Sequence, residues 1–96
     1  NFNLYLAYVD NIPVATGLSF LSKDYCGIYM IATLDEFRGK GIGSAITKQC
    51  INDASKKGIS NFVLQASRNG ESIYQKMGFK KYCEFSIYWM LSKEFK

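Results

Sequence analysis

No histidine occurs anywhere in the 96 residues, which excludes a Ser-His or Cys-His nucleophile and a histidine-ligated metal within this chain. The three cysteines, Cys26, Cys50 and Cys83, are odd in number and show no CxxC spacing. That argues against a zinc site or a disulfide framework, so no metal is expected, and for a reducing, intracellular setting. Long apolar runs are missing as well: none approaches the ~20 residues needed to cross a bilayer, and no basic-then-apolar opening reads as a signal peptide. The expectation is a soluble, cytoplasmic protein with no membrane partner. Twelve basic residues stand against eight acidic ones, a net charge of +4, but they are dispersed from Lys23 to Lys96 with no basic run. Nucleic acid is therefore not an expected partner, whereas an anionic small ligand is compatible with such a surface.

What is present fits one domain over residues 1–96, with 48% hydrophobic and 16% aromatic residues, enough for one compact core. Phe2, Leu4, Leu6 and Tyr8 alternate with other residues before Asp10-Asn11, a turn signal, and a second extended run follows from Pro13 to Leu21. This pattern predicts an antiparallel hairpin. Residues 26–34, CGIYMIATL, are β-branched and aromatic with few charges, as in a central strand buried on both faces. Ile42, Ala45, Ile46, Cys50 and Ala54 then recur at helical spacing up to Lys56-Lys57-Gly58, a basic last turn and a glycine stop. Phe62 to Ala66 reads as a short buried strand, Glu71 to Lys76 as a short helix with Ile73, Tyr74 and Met77 apolar, and residues 82–91 as one long closing strand. The order β-β-β-α-β-α-β is an α/β mixture, with a strand-helix-strand crossover whose strands should be parallel.

Glycines 39, 41 and 43 alternate where the long helix begins, in EFRGKGIGSAITKQC, residues 36–50. The first N–H groups of a helix lack intrahelical partners and the helix dipole adds partial positive charge there, so a glycine loop feeding a helix start lets a phosphate reach backbone amides. Two common nucleotide loops fit poorly. A Walker A loop needs Ser or Thr after Gly-Lys and finds Gly41, and the dinucleotide fingerprint meets Ser44 or Ile46 in its third glycine position.

The pattern that fits is R-x-x-G-x-G, at Arg38, Gly41 and Gly43. Here the chain resembles the GNAT superfamily of N-acetyltransferases, both in IATLDEFRGKGIGSAI and in a second block, LQASRNGESIYQKMGF, residues 64–79. The resemblance implies a GNAT-like acyl-CoA N-acyltransferase fold: a mixed central sheet with an antiparallel N-terminal hairpin and a β-α-β-α-β C-terminal half. It also implies acetyl-CoA (coenzyme A) as acyl donor and a primary amine as acceptor, attacked directly without a covalent enzyme intermediate. By this resemblance the amides of Arg38, Gly39, Gly41, Ile42, Gly43 and Ser44 would cradle the pyrophosphate, with Lys40 adding diffuse attraction. The backbone of Ile31, Ala32 and Thr33 would pair with the pantetheine arm where the central strand splays from its neighbour.

Tyr74 matches the family tyrosine that protonates the departing thiolate; the alternative is a core aromatic on an apolar helix stripe. Seven positions before it the family often carries asparagine, and this chain has Ser67, which either touches the cofactor arm or caps the following helix. For a general base, Asp35, Glu36, Glu71 and Glu84 are candidates and none is selected. Family members usually carry a strand and one or two helices ahead of the first hairpin, which form a wall of the acceptor pocket. Here the chain opens at Asn1 directly into the hairpin, so it is either a C-terminal part of the domain or completes its sheet another way, such as homo-oligomerising through the edge of its first strand. The competing function is a catalytically silent CoA-binding or protein-interaction module. The acceptor stays open among polyamine, aminoglycoside, amino acid and protein N-terminus.

Overall fold

The computed structural model describes residues 2–65, 71–83, 87–91 and Phe95. Strands β1 (Phe2–Val9) and β2 (Ile12–Leu21) are joined by Asp10 and Asn11, whose φ angles of 50° and 68° are both left-handed. Two such residues match the right-handed twist of a tight hairpin, and Asp and Asn tolerate that region better than other side chains. At the next turn the Ser22 hydroxyl accepts the N–H groups of Asp24 and Tyr25 at 3.2 and 3.1 Å and leads the chain into β3 (Cys26–Thr33). A single 3-10 turn, Asp35–Phe37, and the glycine loop precede α1 (Ile42–Lys56). Strand β4 (Asn61–Gln65), α2 (Glu71–Met77), β5 (Lys80–Cys83) and β6 (Ile87–Leu91) complete the order.

These strands make one sheet in the order β1-β2-β3-β4-β6-β5. Only β3 and β4 run parallel, joined through α1 as the crossover expectation required. Residues 82–91, expected to form one strand, instead belong to two antiparallel ones, with Lys80 opposite Trp89 and Lys81 opposite Tyr88. Strand β6 inserts between β4 and β5, so the chain must reverse within a stretch that carries no Gly, Pro or Asn to announce it. Glu84 lies in residues 84–86, outside the described part. No helix among the described residues is long and apolar enough to cross a membrane.

One face of the sheet is packed. Helix α1 buries Ile46, Thr47, Cys50, Ile51 and Ala54 against Val14, Ala15, Cys26, Ile28, Phe62, Leu64 and Met90. Position 51, one residue after the expected Cys50, belongs to the buried stripe, while Ala45 is exposed. At the sheet edge, Tyr5 donates its hydroxyl to Asp53 of α1 at 2.8 Å, and Gln49 donates to the second oxygen of that carboxylate at 2.8 Å. Burial, followed by the Asp53 contact, pushes the Tyr5 phenol well above its ordinary range.

On the other face β1 presents Phe2, Leu4, Leu6 and Tyr8 outward, each about half to two-thirds exposed. The aromatic row continues across the strands, with ring centroids 4.9 Å apart for Phe2 and Phe20 and 6.4 Å for Phe20 and Tyr25. Tyr29 lies flat over Gly27, where an added Cβ would meet its hydroxyl at 2.6 Å. Among the β3 residues whose burial is described, only Cys26, Gly27 and Ile28 are buried, while Tyr29 and Ala32 are exposed, as is Leu34 just beyond the strand. The expectation of a fully covered central strand fails because no described element covers this face. Ile73, expected in the apolar stripe of α2, is likewise exposed, whereas Met77 is buried.

Burial raises the Cys26 thiol to about 11 and the Cys50 thiol to about 12, from an ordinary value of 9.0. Above pH 9 the unfolded chain releases thiol protons that the folded chain keeps, so unfolding gains free energy as pH rises, up to about 1.4 kcal/mol per pH unit for each thiol. We expect the urea midpoint to fall between pH 8 and 10, and the fall to shrink in Cys26→Ala and Cys50→Ala chains. A midpoint that does not move over this range would contradict the burial of these thiols.

Candidate active site

Gly39 and Gly41 have φ angles of 77° and 80°, and a Cβ on either would meet nothing within 4 Å. Packing therefore does not demand glycine; the left-handed backbone does, and the space above the loop is open. Gly41 caps α1, and the first N–H to close onto the helix is that of Ala45, on Gly41 O at 3.0 Å. The amides of Ile42, Gly43 and Ser44 thus point out of the helix start, as helix geometry dictates. With no acidic residue in the first turn and Lys56 in the last, the dipole at this end is left free to attract an anion. Amides so placed can receive an anionic group.

The second feature is the point at which the pairing of β3 with β4 ends among the described residues. Strands β3 and β4 pair only through Cys26 with Phe62, Gly27 with Val63, and Ile28 with Leu64. From Tyr29 to Thr33, β3 keeps only β2 as a neighbour among the described residues. Its register on β2 also slips there: Ala32 faces Thr16 and Tyr29 faces Leu18, so three steps on β3 span two on β2. Such a bulge bends its strand and increases local twist. Past the bulge, the Leu34 N–H is held by Val14 O at 2.8 Å. Backbone groups of successive strand residues point to opposite sides, so Thr33 turns its own to the open side.

The Thr33 carbonyl there accepts the Arg38 Nε at 3.3 Å, while the same nitrogen pairs with Asp35 Oδ1 at 3.2 Å. The Arg38 amide, expected among the phosphate donors, instead donates to Asp35 O at 3.3 Å and closes the 3-10 turn. The Lys40 ammonium lies over the Phe37 ring, 5.4 Å from its centroid. Asp35 and Glu36 are exposed. Ile31 and Ala32 sit on the parted length of β3. Ser67, with its neighbour Asn69, lies outside the described residues.

Tyr74 lies on α2, half-buried against the core, with its ring edge-on to Phe79 at 6.2 Å between centroids. Burial raises its phenol above the ordinary value, and the nearby Thr47 hydroxyl works against that rise. Thr47 in turn donates to Gly43 O at 3.0 Å and is itself fully buried. The sequence offered one signal for Thr47 that went unused: a polar side chain between Ile46 and Cys50 in an otherwise apolar stripe. A surface groove of about 460 Å³, lined by residues that include Tyr5, Asp53, Lys56 and Lys57, lies at the other end of α1 and takes no part in this arrangement.

Comparison with known proteins bears on the family and the fold. Residues 1–85 match the acetyltransferase (GNAT) domain. The uncharacterized N-acetyltransferase CgeE of Bacillus subtilis (strain 168) is 30% identical over 82 residues, which are 81% of this chain and 32% of that protein. The chain thus spans about a third of the length of that relative. The crystal structure of PaiA N-acetyltransferase from Thermoplasma acidophilum in complex with coenzyme A superposes with a TM-score of 0.83 at 21% identity, over 94% of this chain and 60% of that one. Ribosomal-protein-S18-alanine N-acetyltransferase from Escherichia coli superposes equally well, with a TM-score of 0.83 at 16% identity, over 94% of this chain and 68% of that one. These solved structures share the fold described above.

Since the left-handed backbone at Gly41 is what excludes other residues, Gly41→Ala should cost about 1–2 kcal/mol despite the empty space around it. Urea denaturation measures this. A loss near zero would show that the loop relaxes to another conformation without penalty.

Proposed function

Because this chain belongs to the GNAT acetyltransferase family, we propose that it forms the acyl-donor side of an acetyl-CoA-dependent N-acetyltransferase that acetylates a primary amine by direct attack. The observation that carries this reading is the coincidence of two backbone surfaces: the amides at the start of α1 and the side of β3 beyond Ile28, which has no strand partner among the described residues. Both end on the same short segment, Thr33 to Ser44, and both suit an extended ligand with an anionic end and an amide-bearing arm. Acetyl-CoA supplies the thioester that the neutral amine attacks. The amides of Ile42, Gly43 and Ser44 hold the pyrophosphate oxygens, and the Thr33 backbone takes the arm once the Arg38 side chain moves aside. Tyr74 keeps its phenol protonated through neutral pH, since burial raises it, and releases that proton to the sulfur as the C–S bond breaks.

A silent CoA-binding module is the second reading, and one observation favours it: the Tyr74 ring is half-buried against the core, edge-on to Phe79. The two readings separate on one substitution. Tyr74→Phe should lower turnover at least tenfold with acetyl-CoA affinity within about twofold if Tyr74 is the acid, and should change nothing measurable in a silent module.

Calorimetric titration with acetyl-CoA tests the shared premise. Micromolar binding is expected for the chain, and Gly41→Glu, which places a carboxylate at the amide cluster, should abolish it. If the intact chain binds no acetyl-CoA, or if Gly41→Glu binds it equally well, the loop is not a pyrophosphate site.

A further inference from the structure

We propose that the acceptor is a small monoamine carried on an apolar body and that Tyr29 is the residue that selects it; this rests on the transferase reading above. Ile28 is the last β3 residue paired with β4 among those described, and from Tyr29 to Thr33 that edge of β3 has no strand partner among them. At about 3.3 Å per residue, the four steps from Thr33 back to Tyr29 cover about 13 Å. A donor arm that enters at Thr33 and follows this edge is stopped at Tyr29, because the next residue, Ile28, is already engaged by Leu64. The acyl end of the donor therefore lies at Tyr29.

Successive side chains of a strand point to opposite faces of its sheet. Cys26 and Ile28 enter the core that α1 covers, and Tyr74 packs against that same core. Gly27 and Tyr29 belong to the other face. The acid for the departing sulfur thus stands on one face, and the amine reaches the acyl carbon from the other, over Tyr29. Tyr29 is 43% exposed, and its ring lies back along its own strand. A Cβ on Gly27 would meet the Tyr29 hydroxyl at 2.6 Å and its ring carbons at 2.8 Å, so glycine is what gives the ring this seat. The ring points away from the unpaired length of β3 and offers its flat side as a floor next to the acyl end.

A flat aromatic floor suits an apolar or aromatic body with its ammonium close to the ring. Leu18, opposite Tyr29 on β2, and Phe20, opposite Gly27, extend the apolar surface beside it. A polycation does not suit this place. Strands β1, β2 and β3 contain no Asp, Glu, Lys or Arg, so a second ammonium on their outer face would lose water without gaining a partner. The chain as a whole carries a net charge of +4, which repels polycations further. Of the acceptors that the sequence leaves open, polyamine and aminoglycoside are thereby set aside.

The test begins with a readout that needs no turnover: calorimetric titration of the CoA-loaded chain with 2-phenylethylamine and with spermidine. The first should bind saturably and about tenfold more tightly than the second, and Tyr29→Ala should weaken it about tenfold. Gly27→Ala displaces only the free end of the ring; it should weaken binding about threefold in the parent chain and change nothing in Tyr29→Ala. In acetyl transfer the same substitutions should raise the KM for 2-phenylethylamine and leave that for acetyl-CoA unaltered, which also shows that the variants are folded. Spermidine bound as tightly as 2-phenylethylamine, an affinity unmoved by Tyr29→Ala, or a Gly27→Ala effect that persists without the Tyr29 ring overturns the inference. Transfer to spermidine but not to 2-phenylethylamine overturns it too, while the transferase reading stands. Tyr29-dependent binding of 2-phenylethylamine with no transfer to any amine refutes the transferase reading instead and leaves Tyr29 as an amine-binding residue.

Discussion

Among the described residues the pairing of β3 with β4 ends at Ile28, and the rest of the structure depends on that end. A strand that loses a neighbour in mid-sheet exposes N–H and C=O groups that must find other partners or water. Three local devices keep the parted length of β3 extended. The bulge opposite Thr16 and Leu18 bends it away, Val14 O ties down Leu34 just beyond it, and the Arg38 guanidinium covers the Thr33 carbonyl. Pro13 contributes to the same end: it pairs with Tyr8 where the β1 register slips past Val14, a place on the sheet where a missing N–H is tolerated. An extended polar ligand replaces the missing neighbour at little reorganisation cost, because the strand is already held in the form that such a ligand needs.

Helix α1 connects everything else to that opening. Its first turn offers free amides, its buried middle carries Thr47 and Cys50 beneath Tyr74, and its last turns hold the edge strand through Gln49, Asp53 and Tyr5. Burial of Ile46, Ile51 and Ala54 keeps these segments in one rigid body. Sites supported by a packed helix keep their geometry better than sites on free loops. The exposed Arg38–Asp35 pair is different: both side chains are well solvated, and such pairs contribute at most about 1 kcal/mol, so the guanidinium leaves Thr33 easily.

Much of this was legible in the sequence where one residue type serves one backbone need. Asp10-Asn11 announced the hairpin, Gly39 and Gly41 the left-handed loop, and Lys56 to Gly58 the end of α1. Legibility failed where the deciding factor was a neighbour distant in sequence. The strict alternation in β1 marks two faces but does not say which one is covered, and its larger apolar set, Phe2, Leu4, Leu6 and Tyr8, proved to be the outer one. The stretch between β5 and β6 carries no Gly, Pro or Asn, and alternation across residues 82–91 looks the same for one strand or two. Arg38 was assigned to phosphate through its amide, whereas the 3-10 turn, invisible in the pattern, had already engaged that group.

The same distinction explains why the donor is easier to infer than the acceptor. A pyrophosphate and an amide-bearing arm are recognised by backbone, and backbone recognition leaves a mark that any chain must show: glycines at positive φ, a helix start, a strand without a neighbour. An amine is recognised by side chains, and many sets of side chains bind amines equally well. The uncovered apolar face, where Tyr29 lies flat on Gly27 beside the parted length of β3, carries no comparable mark. Acceptor choice is a property of assembled side chains that a local motif does not encode.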